Sequence, residues 1–191
     1  MRNFLLSLVL LACSSAVVSA QNYKPFKLGL GLGYAHPSDG GGGVLFDFEP
    51  AYRINDAIAV GLRIESAWMA RGLDDSGADV SANGSYSLNG QYYLSDSKVR
   101  PYVGLGFGLF SSASVSVSNN GSAGADASEN KFGFYPRLGI DIGHFNINFD
   151  YNIIGKSEGT ASDSQGRTFT YDIKNSYFGI RLGAFIFGGE N

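Results

Sequence analysis

The sequence contains a single cysteine, Cys13, and that residue lies in an apolar N-terminal stretch. If this stretch is removed during export, the chain has no thiol, which excludes disulfides, thiolate metal ligands and cysteine catalysis. Basic residues are not in excess either: 14 lysines and arginines stand against 17 aspartates and glutamates, a formal net charge of −3. A nucleic-acid-binding protein would present a basic surface, so we expect no nucleic-acid partner.

The first 20 residues have the three parts of a secretory signal peptide. Arg2 supplies the positive start, FLLSLVLLA is the apolar core, and VSA, ending at Ala20, fits the small-residue cleavage rule. We therefore predict a signal peptide at residues 1–20 and one domain at residues 21–191. The alternative is a lipoprotein signal cleaved at Cys13, since LLAC resembles a lipidation box, but SSAVVSA would then be an unusual start for the exported chain.

Beyond the signal there is no apolar run of the roughly 20 residues that a transmembrane helix needs. Apolar residues instead recur at every second position, which is the period of a β-strand. Each alternating segment has one continuous apolar face. The eight segments cover residues 27–35, 44–54, 58–71, 85–94, 102–110, 132–142, 146–153 and 177–187.

The connections between these segments alternate between long and short. The long ones cover residues 36–43, 71–79, 118–130 and 155–167, and the short ones cover residues 55–57, 95–98 and 143–144. Outer-membrane barrels have long extracellular loops and short periplasmic turns. The order therefore predicts an all-β fold, an eight-stranded antiparallel up-and-down transmembrane β-barrel in the outer membrane of a Gram-negative bacterium. We also expect the fourth and fifth strands to extend beyond the membrane, and a bulge between Lys174 and Tyr177.

Aromatic residues occur near the ends of the predicted strands, on the apolar face. Tyrosine, tryptophan and phenylalanine at these positions form the two girdles of membrane barrels at the lipid–water interfaces. The predicted interfacial aromatics are Tyr34, Phe46, Trp68, Tyr86, Phe132, Tyr151 and Phe178 near the long connections, and Tyr52, Tyr92 and Phe145 near the short turns.

The opposite face of the strands carries charge of both signs in equal number. Its basic residues are Lys27, Arg53, Arg63, Arg137 and Arg181, and its acidic residues are Asp47, Glu49, Glu65, Asp141 and Asp150. Eight strands enclose a lumen that side chains just fill, and an unpaired charge there is costly. We therefore predict a salt-bridged polar lumen that supports the barrel; a gated ion path through rearranging pairs is the alternative.

Glycine takes every second position in KLGLGLGY (27–34) and in VGLGFGL (103–109). A phosphate-binding loop needs irregular glycine spacing and a following helix, and neither is present. Because leucine and phenylalanine occupy the lipid-facing positions, the glycines fall on the inward face. We expect them to make room for neighbouring side chains and to let the strands curve. If Gly106 faces a roomy part of the lumen, Gly106→Ala should have a milder effect than Leu105→Arg.

The long connections hold two further candidate sites. His36, Asp75 and Ser76 are the residue types of a base, an orienting acid and a nucleophile, which would suit transfer of an acyl group to membrane lipid. Asp74, Asp75 and Asp79 offer carboxylates for a hard cation such as Ca²⁺. Neither set has supporting sequence around it, so we assign no catalytic residue, no metal site and no cofactor, and interpret these segments as acidic, solvated loops.

The segment NGQYYLSDSKVRPYVGLGFGLF (89–110) resembles a hairpin region of small bacterial outer-membrane β-barrel proteins of the OmpA transmembrane-domain, OmpX and opacity-protein type, as does the ending YFGIRLGAFIF. The resemblance implies a monomer with a structural or surface-interaction role and no enzymatic activity. Its expected partners are outer-membrane lipid and lipopolysaccharide, the barrel-insertion machinery, and a host or cell-surface ligand that contacts the loops. Resemblance to the OmpW type implies the alternative of a small-molecule conduit.

Overall fold

The computed structural model describes residues 23–38, 40–74, 77–118, 123–162 and 168–188. These ranges contain ten strands: β1 (Phe26–Pro37), β2 (Gly42–Arg53), β3 (Ile58–Asp74), β4 (Gly77–Tyr93), β5 (Val99–Ser118), β6 (Ala123–Ile142), β7 (Phe145–Ile154), β8 (Ser157–Ser162), β9 (Thr168–Ile173) and β10 (Tyr177–Phe187). Within the same ranges no helix is long and apolar enough to cross a membrane. The predicted signal peptide, residues 1–20, lies outside the described residues.

Eight of the strands close into an antiparallel barrel in the order β1-β10-β7-β6-β5-β4-β3-β2. Closure is made by β1 and β10, which pair from Leu28 opposite Phe187 to Pro37 opposite Tyr177. A closed sheet satisfies its backbone hydrogen bonds internally, as a membrane-spanning sheet must. The structure thus confirms the predicted eight-stranded antiparallel barrel.

Burial in the barrel is inverted relative to a water-soluble protein. On β1, Leu30, Leu32 and Tyr34 are exposed, whereas Lys27 and Ala35 on the alternate positions are buried. The same alternation continues around the barrel, because successive residues of a strand point to opposite faces. Large apolar side chains therefore cover the outer surface, and charged and amide side chains fill the inside.

The fourth and fifth strands are extended, as the sequence predicts, and the third and sixth are extended with them, which the sequence pattern does not predict. The strands β3 and β4 have 17 residues each and β5 and β6 have 20 each, against 10 to 12 in β1, β2, β7 and β10. The segments 71–79 and 118–130, predicted as long loops, are therefore mostly strand. Their Gly, Ser and Ala content is typical of loops, but the ladder of backbone hydrogen bonds continues through them, to Asp74 opposite Gly77 and Val117 opposite Ala123. We call these ends of β3 to β6 the strand extension.

A small hairpin lies between β7 and β10 in the chain. Its strands β8 and β9 pair only with each other and form a separate two-stranded sheet. The odd-numbered apolar residues Phe169, Tyr171 and Ile173 belong to this hairpin, so the predicted bulge between Lys174 and Tyr177 is wrong. The alternation changes phase there because one sheet ends and another begins.

The barrel does contain a bulge, at the opposite end of the β1–β10 pair. Leu28 lies opposite Phe187 and Gly29 lies opposite Phe185, so the register shifts between these two pairs. Phe185 is buried inside the barrel, whereas Phe187 is exposed on the outer surface. Strict alternation would place both rings on the same face; the bulge turns the final aromatic side chain outward.

Candidate functional site: the charged lumen

The structure places all ten predicted lumen charges inside the barrel, each buried from solvent. They come from six strands: Lys27 from β1; Asp47, Glu49 and Arg53 from β2; Arg63 and Glu65 from β3; Arg137 and Asp141 from β6; Asp150 from β7; and Arg181 from β10. An eleventh charge, Arg100 on β5, is also buried. It precedes Pro101 and lies just outside the predicted strand at 102–110, so the sequence analysis did not include it among the lumen charges. The inward residues of β5 all have even numbers, and extending that alternation by one step would have predicted Arg100.

One cluster of ion pairs centres on Arg181. Its guanidinium forms ion pairs with Glu65 and Asp150, and its Nε lies 3.3 Å from Asp47 Oδ1. Arg63 lies beside it, with Nη1 2.9 Å from Asp150 Oδ2 and Nε 3.6 Å from Glu65 Oε2. Two guanidinium groups thus pair with three carboxylates, and all five side chains are buried, so each pair offsets part of the cost of removing its charges from water.

Neutral side chains complete this cluster. The Tyr177 hydroxyl donates a hydrogen bond to Glu65, and Arg63 Nη2 donates to Asn152 Oδ1 at 3.1 Å. The Arg63 guanidinium also lies over the Tyr135 ring, 3.7 Å from its centroid, which is the geometry of a cation–π contact. The stacking fixes the plane of the guanidinium, and so the direction of its ion pairs.

A second cluster lies nearer the short turns and contains two separate pairs. Arg137 Nη1 donates to both carboxylate oxygens of Glu49, at 2.9 Å and 2.7 Å. Lys27 Nζ donates to Asp141 Oδ2 at 2.9 Å, and the Tyr93 hydroxyl donates to the same oxygen at 2.8 Å. Gln91 donates its amide hydrogen to Glu49 at 2.8 Å, so both acids of this cluster have a cation and a neutral donor.

Most of these pairs join strands that are not neighbours in the barrel. The Lys27–Asp141 pair links β1 to β6, the Arg137–Glu49 pair links β6 to β2, and the Arg63–Asp150 pair links β3 to β7.

These pairs therefore cross the lumen. The cavity among them, lined by Asp47, Glu49, Arg137 and neighbouring residues, has a volume of about 10 Å³, which is room for about one water molecule.

Inward-facing glycines let the large lumen side chains fit. A Cβ atom on Gly106 would overlap the Tyr135 ring, and one on Gly139 would lie 2.6 Å from Tyr102 Cε1. In each case the ring lies over the glycine directly opposite on the paired strand. Gly106 therefore does not face a roomy part of the lumen, because Tyr135 already fills that space; it makes room for a neighbouring side chain, as expected of the inward glycines.

The outer surface carries the predicted aromatic residues. All ten are exposed, from 37% for Phe178 to 69% for Phe145, and so are accessible to lipid. Strand pairing puts several of them at common heights: Tyr34 and Trp68 both lie opposite Val44, and Tyr86 and Phe132 both lie opposite Leu109. At the other end, Tyr52 lies opposite Phe26, Tyr92 opposite Ile58 and Phe145 opposite Ile142.

The two candidate sites in the long connections are not assembled in the described structure. Asp75 and Ser76, and the side chains of Asp74 and Asp79, lie outside the part of the chain that is described. His36 is exposed, and its Nδ1 lies 3.0 Å from the Gly41 carbonyl oxygen. Among the described residues, no three or more His, Cys, Asp or Glu side chains come together as metal ligands do.

A closed eight-stranded barrel with an apolar, aromatic outer surface and a charged lumen defines a bacterial outer-membrane β-barrel. The family model described as "Outer membrane protein beta-barrel domain" matches residues 5–185, and the chain belongs to this family. The protein is therefore an outer-membrane protein, as the sequence predicts.

Solved structures of small outer-membrane barrels have a similar fold. Neisserial surface protein A (NspA) matches with a TM-score of 0.51 and 16% identity, over 90% of this chain and 100% of that chain. The outer membrane protein OprG from Pseudomonas aeruginosa matches with a TM-score of 0.60 and 15% identity, over 87% of this chain and 98% of that chain. At these identities the likeness shows the fold alone. None of the curated proteins matches this chain.

Proposed function

We propose that the protein is a non-conducting, non-enzymatic structural barrel of the outer membrane, whose strand extension contacts other molecules at the cell surface. The observation that supports this role is the set of ion pairs across the lumen. Each of the five lumen acids lies within ion-pair distance of at least one lysine or arginine. Removing one partner of a buried pair typically costs about 3–5 kcal/mol, so opening an ion path through several pairs is costly.

Conductance tests the first part of this proposal. Purified protein reconstituted in a planar bilayer should give no unitary current steps, while a general porin inserted under the same conditions gives them. A gated pore would show itself by discrete steps that appear with voltage. Such steps in the wild-type protein, with the same frequency after repeated purification, would contradict a closed lumen.

The surface role is supported by the strand extension. Among the strands of the described residues, β3 to β6 alone continue for 17 to 20 residues. The extra length is at the end of the barrel away from the short turns, which is extracellular in this class. NspA, which has a similar fold, is called a surface protein. Such an extension presents a paired sheet to the surroundings, which a barrel trimmed at the membrane surface does not.

Shortening the extension tests this role without altering the lumen. Deleting residues 71–79 and 113–126, with a two-residue Asn-Gly turn in place of each, should leave a heat-modifiable barrel on a denaturing gel and should abolish adherence of intact cells to host cells or to one another. A matched variant with the β8–β9 hairpin replaced by the same turn should keep adherence. Full adherence by the shortened variant would contradict the surface role.

A second candidate function, a conduit for small apolar molecules, rests on a separate observation. A groove of about 570 Å³ on the outer wall and the small lumen cavity share four residues: Leu30, Gly31, Asn146 and Gly183. The wall is thin there because Gly31 lies opposite Gly183. The test is the uptake of a fluorescent alkane analogue into vesicles that contain the protein. A lower uptake by the Gly183→Val variant would favour the conduit. Equal uptake by vesicles without the protein would count against it.

A further inference from the structure

The short-turn mouth of the barrel contains a cavity that the lumen ion pairs do not explain. It has a volume of about 250 Å³ and is lined by Tyr23, Arg53, Lys98, Arg100, Asp141, Ile142 and Gly143. Three of these residues are basic and one is acidic. The acid, Asp141, already pairs with Lys27 at 2.9 Å, so its charge is matched by Lys27 rather than by Lys98 or Arg100.

Arg100 is held firmly in this cavity wall. Its guanidinium lies between two rings, 3.8 Å from the centroid of Tyr23 and 4.0 Å from that of Tyr93. Its Nη2 donates a hydrogen bond to the Asp56 carbonyl oxygen, and its Nε donates to the Ser95 carbonyl oxygen at 3.3 Å. Only 2% of the residue is exposed, yet its Nη1 has no hydrogen-bond partner within the described residues. A buried, unpaired donor of this kind is costly without a ligand.

The other two cations are arranged around it. Arg53 Nη1 donates to the backbone oxygens of Lys24, at 3.1 Å, and Gly188, which fixes the chain segments at both ends of the barrel sequence. Lys98 lies in the exposed turn between β4 and β5 and extends the basic lining toward solvent. The cavity is therefore lined by two buried guanidinium groups and by one ammonium group from an exposed turn.

We propose that this cavity is a binding site for a phosphate group on the periplasmic side of the barrel. A phosphate group is an anion, with about −1.5 to −2 charges at neutral pH when it is a monoester, and so complements the cations of the lining. The planar guanidinium suits phosphate oxygens, and lysine adds a point charge. The volume is at the lower limit of pockets for small molecules, so the ligand is inorganic phosphate, a small phosphate ester, or the phosphate of a lipid headgroup from the inner leaflet.

Titration with inorganic phosphate tests the site in the full-length protein. The protein should be held in a phosphate-free maltoside detergent, with binding followed by calorimetry and by the amide resonances of Arg100 and Gly143. Wild type should bind saturably, and Lys98→Gln should weaken binding by about tenfold, as expected for loss of one charged hydrogen bond. Lys24→Gln is the matched control: Lys24 is exposed near the same mouth but does not line the cavity, so binding should not change.

Arg100→Gln should abolish saturable binding, provided that its gel mobility before and after boiling shows a folded barrel; if it does not fold, Lys98→Gln decides. The proposal is overturned if wild type does not saturate, or if Lys98→Gln and Lys24→Gln weaken binding equally, which would indicate a diffuse charge effect.

Nanodiscs then identify the source of the phosphate. A lower apparent affinity for inorganic phosphate in phospholipid nanodiscs than in the phosphate-free detergent assigns a lipid headgroup, because the lipid phosphate competes. The same affinity in nanodiscs and in detergent assigns a free phosphate, and either result retains the site.

Discussion

The Tyr135 ring on β6 occupies the space that a side chain at Gly106 on β5 would need. The two residues are directly opposite in the strand pairing, and a Cβ atom on Gly106 would lie 2.5 Å from Tyr135 Cε1 and closer still to Cζ. The same ring also contacts Arg63, whose guanidinium lies 3.7 Å from the ring centroid. Tyr135 thus contacts both Gly106 and Arg63, so the space left by the glycine helps to place the ring against which the Arg63 guanidinium packs.

The first prediction follows from this packing. Gly106→Ala should lower the free energy of unfolding by about 1–3 kcal/mol, the usual cost of overpacking a filled interior. The measurement is the urea concentration at which half of the protein loses its folded gel mobility. Gly90→Ala is the control, since a Cβ there meets nothing within 4 Å. Equal stability of the two variants would show that Tyr135 moves aside at no cost.

The second prediction concerns the lipid-facing side of the same strand. Leu105 is exposed on the outer wall and lies opposite Gly90 on β4, between the girdle residues Tyr86 and Tyr92. Leu105→Arg therefore places a charge near the bilayer midplane, where it costs about 2–4 kcal/mol. We expect most of the variant to remain unfolded after dilution into lipid vesicles, whereas Leu105→Phe folds normally. Normal folding of the arginine variant would mean that the two faces of β5 are reversed.

The third prediction tests a pair across the lumen. Lys27→Met leaves Asp141 without its cation, and Asp141→Asn leaves Lys27 without its carboxylate, so each change alone should destabilise the barrel by several kcal/mol. The double variant should be more stable than the sum of the single effects, with a coupling of about 0.5–3 kcal/mol. Urea unfolding of all four proteins gives this coupling. Strictly additive effects would show that the 2.9 Å pair does not hold the barrel together.

The fourth prediction uses the single tryptophan of the chain, Trp68. It is 52% exposed, and with Tyr34 it lies beside Val44 near the strand extension. A tryptophan in an interfacial girdle sits at headgroup level. Lipids brominated close to the headgroup should therefore quench its fluorescence more than lipids brominated near the chain end. Strong quenching by iodide, with none by either lipid, would place Trp68 in water instead.

Much of the barrel could be predicted because the alternation of apolar and polar residues decides which side chains face lipid and which face the lumen. Alternation assigns Lys27, Glu49 and Arg181 to the inside and Leu30 and Phe46 to the outside, and burial agrees at each position. This rule does not predict strands that form because of backbone hydrogen bonds to a neighbouring strand rather than because of an apolar face. The segments 71–79 and 118–130 have no apolar face to signal a strand, and they extend β3 to β6 because their neighbours supply backbone partners.

Features that depend on contacts between distant residues could not be predicted from the sequence. The partner of Lys27 is 114 positions away along the chain, on a strand that is not its neighbour. The size of the space at Gly106 depends on which ring lies opposite it. Arg100 points into the lumen although it precedes the segment in which apolar residues alternate regularly. In each case the register of paired strands decides the outcome, and register is not visible in one segment alone.

The central claim, that ion pairs and packed side chains close the lumen, is tested most directly by thiol labelling. After the predicted signal peptide is removed the chain has no cysteine, so a single substitution reports on one place. Asn89→Cys lies inside the barrel on β4, and Ser97→Cys lies in an exposed turn. In the folded protein a membrane-impermeant maleimide should label Ser97→Cys rapidly and leave Asn89→Cys unlabelled until the protein is boiled. Rapid labelling of folded Asn89→Cys would contradict a closed lumen.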